Sequence, residues 1–269
     1  MTESARYLSV AVKAARVGGG ILLKNLGKLR QADVRMKGKA DWVTTVDHAS
    51  EAVILKILKK AFPGHTLQAE ETAPVVKGAD LQWFIDPLDG TVNYIHGFPM
   101  FGVSIGLRRK GVLEVGVVYD PLREELFTAQ RGKGAWLNGR RIHVAAGRTM
   151  KGSLLATGFP FRASKHLDLY LRSFRRIFLE TGAIRRAGSA ALDLAYTACG
   201  RVGGFWEMAL SPWDMAAGAL LIQEAGGVVS DFFGESSYLS NGHIAAGNPE
   251  IHRQMVKLLT PIFRGKLAG

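Results

Sequence analysis

The sequence has a single cysteine, Cys199 in "AYTACGR", among 269 residues. No intrachain disulfide can form and no cysteine-based metal site can be assembled, which fits a reducing cytoplasm. Long apolar runs are also missing. The longest, Met215 to Ile222, falls far short of the roughly 20 residues that a membrane-crossing helix requires. The stretch "SARYLSVAVKAARVGGGILLKNLG" is no signal peptide, because Lys13 and Arg16 interrupt its apolar residues and no small-residue cleavage site follows. It reads as an amphipathic first helix. Acidic residues are in deficit: 35 Lys and Arg oppose 23 Asp and Glu, a formal net charge of +12. That excess points to an anionic partner, whether a phosphorylated small molecule, nucleic acid or an acidic protein surface. Low-complexity tracts, internal repeats and linkers are absent, so the reading is one domain over 1–269 with halves of roughly 1–148 and 149–269.

The halves differ in texture. In the first, "DHASEAVILKILKKAF" carries apolar residues at helical spacing and is closed by Pro63-Gly64. From Leu81 to His143 the pattern is an antiparallel meander of "LQWFID", "FGVSIGLRR", "VLEVGVVYD" and "EELFTAQ", joined by short turns. The second half alternates strands ("SLLAT", a short one near Ile184, "GGFWE", "VVSDF") with helices ("KHLDLYLRSFRRIFLE", "SAALDLAYTAC", "DMAAGALLIQEAGG", and one from about Pro249). Helices and sheets should therefore layer on one another.

Glycine is plentiful and creates accidental motifs. "GVSIG" fits the G-x-S-x-G hydrolase pattern, but Ser104 lies inside an alternating strand that continues to Leu107 and not at a strand-to-helix turn. The triplet Gly18–Gly20 sits in a helical pattern without the preceding strand of a dinucleotide fingerprint, and helix packing explains it better. An EF-hand beginning at Asp86 fails on Leu88 and Gly90, at its third and fifth positions.

"IDPLDGT" is different. Asp86 and Asp89 stand three apart where an apolar strand ends, and two acids so placed share a proton, bind a cation, or sit in a solvated turn. With Gly90 and Thr91 opening a short helix, free N–H groups would face the same space as the carboxylates. Taken alone, Glu70 and Glu71 in "QAEET" read as a solvated pair, and Asp214 in "SPWD" as the N-cap of the helix that follows. Their joint occurrence with "DPLDGT" changes that reading.

"AEET", "DPLDGT" and "WDMAAG…EAGG", in this order and spacing, resemble the motifs of the inositol monophosphatase family of Mg²⁺-dependent, lithium-sensitive phosphatases, and the likeness runs from "DWVTTVD" to "EAGG" at 224–227. The resemblance implies a layered αβαβα sandwich, two or three Mg²⁺ ions, and hydrolysis of a small phosphate monoester, foremost inositol monophosphate, by direct attack of metal-activated water. It implies Glu70, Asp86 and the Leu88 carbonyl as ligands of one ion, and Asp86, Asp89 and Asp214 as ligands of a second. Thr91 with Asp47 behind it would orient the water, the Gly90 and Thr91 N–H groups would cradle phosphate, and Glu207 in "FWEMALSPWD" would bind the polyol. A homodimer in the cytoplasm is expected.

Relatives acting on fructose 1,6-bisphosphate, histidinol phosphate or 3′-phosphoadenosine nucleotides carry the same metal core, and Glu207 favours the inositol ester. A haloacid-dehalogenase phosphatase would place its acids two apart near the N-terminus. Outside enzymology, Arg172, Arg175 and Arg176 on one helical face, with Arg108, Arg109, Lys110, Arg140 and Arg141 in turns, leave room for a basic nucleic-acid or transcription-complex binder, although no nucleic-acid motif accompanies them.

Overall fold

The computed structural model describes residues 2–38, 41–72, 78–147 and 149–267. The first helix, α1 (Glu3–Asn25), starts on a Thr2 cap and includes the glycine triplet. A Cβ on Gly18 would meet Ile54 at 2.7 Å, and one on Gly19 would meet the Tyr119 ring at 2.7 Å, so these glycines serve close packing. Two short antiparallel strands follow, β1 (Val34–Gly38) and β2 (Asp41–Thr44). Thr44 then caps α2 (Thr45–Ala61).

Seven strands form the larger sheet: β3 (Thr66–Ala69), β4 (Leu81–Asp89), β5 (Gly102–Arg109), β6 (Val112–Asp120), β7 (Glu125–Gln130), β8 (Gly134–Leu137) and β9 (Arg140–Ile142). They lie in sequence order, with β3 parallel to β4 and every later pair antiparallel, as the alternating pattern of that segment implies. A one-turn helix, α3 (Thr91–Ile95), interrupts the chain between β4 and β5.

The second half supplies β10 (Leu154–Thr157), α4 (Leu167–Phe178), β11 (Ala183–Arg185), α5 (Ala190–Ala198), β12 (Gly204–Glu207), α6 (Pro212–Glu224), β13 (Val228–Ser230), α7 (Tyr238–Asn241), β14 (Ile244–Gly247) and α8 (Pro249–Phe263). Its five strands order as β11-β10-β12-β14-β13. Sequence reading passes over β1, β2, β8, β9, β14 and α7.

The layers run α1 and α2, the seven-stranded sheet, α5 and α6, the five-stranded sheet, then α4 and α8, which is the expected αβαβα sandwich. Alternation along β5 shows why. Val103, Ile105 and Leu107 join the core shared with α1 and α2. On the opposite face a Cβ on Gly106 would meet Ala216 of α6 at 2.8 Å, and one on Gly116 of β6 would meet the Ala217 carbonyl at 2.7 Å. Glycines on the sheet and alanines on the helix thus let α6 lie close to the strands. Held between two sheets, α6 is buried from Asp214 to Ile222 and has no polar side, as a helix without a solvent face should. Among the described residues no helix is long and apolar enough to cross a membrane.

Candidate active site

The strand does not stop at Asp86; β4 continues through Pro87 to Asp89. Opposite it, Asp86 pairs with Ser104 and Asp89 with Gly102, so three steps on β4 face two on β5. This is a β-bulge, and Pro87, which has no N–H to give a ladder, sits inside it. In a regular strand residues three apart point to opposite faces. The extra residue restores the parity, and the carboxylates of Asp86 and Asp89 converge with that of Asp214, one oxygen from each lying within 4.8 Å of the others.

Each acid of the cluster is held from elsewhere. Asp86 accepts the Leu88 N–H at 3.0 Å, and Asp89 accepts from the Ser189 hydroxyl at 2.6 Å and the Ala191 N–H at 2.7 Å at the start of α5. Asp214 corrects the expectation of an N-cap. Ser211 caps α6, Pro212 follows it, and Asp214 occupies the third helical position, accepting the Ser211 N–H at 2.7 Å in a capping box. The reciprocal box orients the carboxylate outward from a helix that is otherwise buried.

Asp47 is likewise the third residue of α2. One of its oxygens accepts the Thr44 N–H at 2.9 Å and the Thr44 hydroxyl at 2.6 Å, and the other accepts the Thr91 hydroxyl at 3.0 Å. Burial raises its pKa to about 6, against the lowering effect of the Thr44 bonds. The Thr91 hydroxyl also stands 3.0 Å from the Leu88 carbonyl. Its single proton can serve only one of these acceptors, and an ionised Asp47 claims it and releases Leu88. Gly90 precedes with φ 91°, and a Cβ there would lie 2.8 Å from the Met100 carbonyl, so only glycine can open this turn.

Glu70 and Glu71 are not a solvated pair. The Glu71 side chain is 1% exposed, and Lys37 of β1 reaches both acids, at 3.4 and 2.8 Å. Glu51, a buried acid of α2 that the sequence reading missed, accepts the Glu71 N–H at 2.9 Å and the Thr72 hydroxyl. Its only sequence signal is an acid on the apolar side of a helix.

Burial pushes the Asp86 carboxyl well up, and Glu70, Asp89 and Asp214 add to the effect, so an uncompensated cluster resists full ionisation. Oxygen donors alone, several anionic and packed this tightly, suit a hard dication that retains water, and the residues present fit Mg²⁺. The cluster opens into a cavity of about 300 Å³ whose lining also includes Glu70, Gly90, Thr91, Gly158, Arg186 and Glu207. Glu207 ends β12, is 6% exposed, and accepts no hydrogen bond among the described residues. Burial raises its pKa well above normal, helped by Asp193, Asp214 and Asp89 and opposed by Arg186. A Cβ on Gly158 would fall 2.0 Å from the Glu207 carboxylate, so Gly158 is also required for the site.

Ser104 is no nucleophile: it is fully buried and donates to the Trp213 carbonyl at 2.9 Å. All the residues expected at the site, Asp47, Glu70, Asp86, Leu88, Asp89, Gly90, Thr91, Glu207 and Asp214, lie in or beside this one cavity.

The chain is 50% identical over 259 residues to the Nus factor SuhB of Pseudomonas aeruginosa, covering 94% of this chain and 96% of that protein. The extragenic suppressor protein suhB of Bartonella henselae superposes with a TM-score of 0.90 at 40% identity, covering 96% of this chain and 99% of that one. The inositol monophosphatase of Anabaena superposes with a TM-score of 0.87 at 41% identity, covering 97% of each. With residues 3–264 matching the sequence profile of the inositol monophosphatase family, the chain belongs to that family.

Proposed function

We propose that the chain is a Mg²⁺-dependent phosphatase of small phosphate monoesters, with inositol monophosphate its foremost substrate, acting by direct attack of water. The convergence of Asp86, Asp89 and Asp214 beside the Thr91–Asp47 pair carries this reading. Glu70, Asp86, the Leu88 carbonyl, Asp89 and Asp214 would hold two Mg²⁺ ions, with room for a third at Glu70. Mg²⁺ bound there supplies neutralisation of phosphoryl charge, a lowered pKa for the attacking water and stabilisation of the leaving alkoxide. Thr91 donates its proton to Asp47 and turns a lone pair toward that water, fixing its orientation and accepting one of its hydrogens. The Gly90 and Thr91 N–H groups, without helical acceptors at the head of α3, meet the phosphate oxygens. Glu207, with no hydrogen-bond partner among the described residues, accepts hydroxyl hydrogens of the polyol.

The test is a panel of phosphate esters assayed with and without Mg²⁺, joined to rapid-quench trapping. Mg²⁺-dependent phosphate release highest on inositol monophosphate, with no phosphoaspartate, is expected. Metal-independent release or a covalent burst overturns the reading.

A second reading has its own support. The Pseudomonas relative at 50% identity is named a Nus factor. Here Arg172, Arg175 and Arg176 of α4 are all exposed and make no ion pair among the described residues, leaving a cationic face for association with transcription machinery. Binding to transcription complexes that survives Asp89→Asn but is lost on reversing the charge of these three arginines would establish it; equal binding by both variants would refute it. A homodimer in the cytoplasm completes the proposal, with sedimentation as its check.

A further inference from the structure

Asp47 is not the only polar residue that α2 turns toward the site. Ser50 and Glu51, three and four positions on, share its side of the helix and are buried too, yet neither has a place in the chemistry above. Each fixes a different piece of chain. Ser50 donates to the Pro87 carbonyl at 3.0 Å, inside the bulge that aims Asp86 and Asp89, and Gly18 of α1 leaves room for it, since a Cβ there would stand 2.9 Å from Ser50 Oγ. Glu51 reaches the segment that carries Glu70. The parallel ladder of β3 and β4 closes with the Glu70 N–H on the Ile85 carbonyl at 3.1 Å, one residue before the bulge begins. The next N–H, on Glu71, goes to Glu51 and not to the sheet. One Glu51 oxygen accepts it at 2.9 Å, and the other accepts the Thr72 hydroxyl. Glu70 therefore stands between two anchors, the last rung of the sheet before it and the Glu51 carboxylate after it. With each oxygen given to a protein donor and no part in the cavity lining, Glu51 is not placed to be a ligand itself.

We propose that Glu51 is a positioning residue: by clamping the chain at 71–72 it holds Glu70 in register with Asp86, and so raises the affinity of the site for Mg²⁺. This rests on the metal-dependent reading above and adds a residue to it. A ligand carried on a loose turn must be ordered when the ion binds, and that loss of freedom weakens binding. A ligand held in advance avoids the cost. The role requires hydrogen-bond geometry and not charge. In Glu51→Gln the amide oxygen can still accept the Glu71 N–H, while the amide hydrogens go to a Thr72 hydroxyl that turns to accept. In Glu51→Met a side chain of similar length can do neither. An acid that served only the fold would affect unfolding and leave the ion affinity of the folded protein unchanged.

Calorimetric titration of the metal-free, full-length protein with Mg²⁺ alone measures this directly, in the wild type and in Glu51→Gln, Glu51→Met, Thr72→Val, Glu70→Gln and the double variant Glu51→Met/Glu70→Gln. The Mg²⁺ Kd should rise about tenfold or more in Glu51→Met, the range found for residues that orient metal ligands, rise less in Thr72→Val, which gives up one bond of two, and stay within about threefold of wild type in Glu51→Gln. The double variant should bind no more weakly than Glu70→Gln, because Glu51 acts through Glu70. Thermal unfolding of the metal-free proteins identifies any variant that does not fold, and Thr72→Val, at an exposed residue, reports on its own should Glu51→Met be lost. An unchanged Kd in Glu51→Met, or in Thr72→Val where Glu51→Met does not fold, overturns the proposal. So do equal losses in Glu51→Gln and Glu51→Met, which would make charge the cause, and additive losses in the double variant. Absence of Mg²⁺ binding by the wild type would instead defeat the metal-dependent reading, so the two failures are distinguishable.

Discussion

On the cavity wall built by α2 and β4, Asp47, Asp86 and Asp89 each accept at least one hydrogen bond from protein, whereas on the wall built by β12 Glu207 accepts none among the described residues. Both walls bury carboxylates, so burial alone does not separate them. Their tethers do. Carboxylates fixed by backbone and hydroxyl donors keep one geometry whatever else enters, as metal ligands must. A buried carboxylate without a donor is costly in the empty protein and is relieved by taking up a proton or by a ligand that brings donors of its own. In the proposed function the first wall would hold ions and the second hydroxyl groups.

The largest break in this comparison comes from Asp89→Asn or Asp214→Asn. Either change removes one negative charge from the cluster, while the amide oxygen can still accept from Ser189, Ala191 or Ser211. Mg²⁺-dependent phosphate release should fall by orders of magnitude, and thermal unfolding of the metal-free protein should shift little or upward as repulsion on Asp86 is relieved. Turnover near wild type at saturating Mg²⁺ in either variant would remove the first wall from the mechanism.

The second wall is broken more gently. Glu207→Ala should lower kcat/KM for inositol 1-phosphate at least about tenfold, the factor corresponding to 1.4 kcal/mol, and barely affect p-nitrophenyl phosphate. Gly158→Ala should do the same without touching the carboxylate chemically, since its methyl would occupy the space of the Glu207 oxygens. The double variant should be no worse than Glu207→Ala, because both changes remove one interaction. Additive losses, or equal losses on both esters, would show that Glu207 supports the fold or the metal ligands and does not read the substrate.

The tether on Asp47 sharpens the comparison through pH. A carboxyl raised from 3.8 to about 6 binds its proton more tightly in the folded state than in the unfolded chain. Its contribution to stability is therefore full below about pH 3.8 and is lost as pH rises through about 6. In metal-free protein the wild type should lose on the order of 2 kcal/mol relative to Asp47→Asn between pH 4 and 7. Denaturant unfolding across that range measures it, and parallel pH profiles for the two proteins would contradict it.

These residues were unequally legible in the sequence. The spacing of "DPLDGT" marked Asp86 and Asp89, but not the bulge that aims them, because a bulge is a property of two paired strands and only one is visible in a motif. Asp214 showed as a helix start, yet the cap fell three residues earlier at Ser211, since Pro212 fits the first helical turn. The long strands of the meander were readable from their period of two, while β1 is exposed along most of its length and β14 is buried on both faces, so neither alternates. Gly158 carries no local signal, and Glu51 only that of an acid on the apolar side of a helix. Their roles arise from contacts with Glu207 and with the chain at 71–72, which only the folded chain brings together.

The smallest expected effect is at Ser104, and it separates sequence likeness from chemistry. The "GVSIG" stretch would make Ser104 a nucleophile if motif alone decided function, and Ser104→Ala would then abolish hydrolysis. The structure gives the hydroxyl a different role, because it is buried and its proton goes to the Trp213 carbonyl, linking β5 to the first turn of α6 next to Asp214. Replacing it by alanine leaves that carbonyl short of one donor, a loss of about 0.5–1.5 kcal/mol by analogy with other single hydrogen bonds. The glycines at 102 and 106 owe their identity to the same packing, because side chains there would meet the Tyr119 carbonyl and Ala216 at 2.8 Å. Ser104→Ala should therefore lower the unfolding midpoint slightly and leave kcat/KM within about threefold of wild type, well under the one decade that 1.4 kcal/mol represents. Hydrolysis lost with the fold intact would restore Ser104 as a reacting group; a small stability loss with activity retained makes it a strut between strand and helix, and leaves the chemistry to the carboxylates that the bulge brings together.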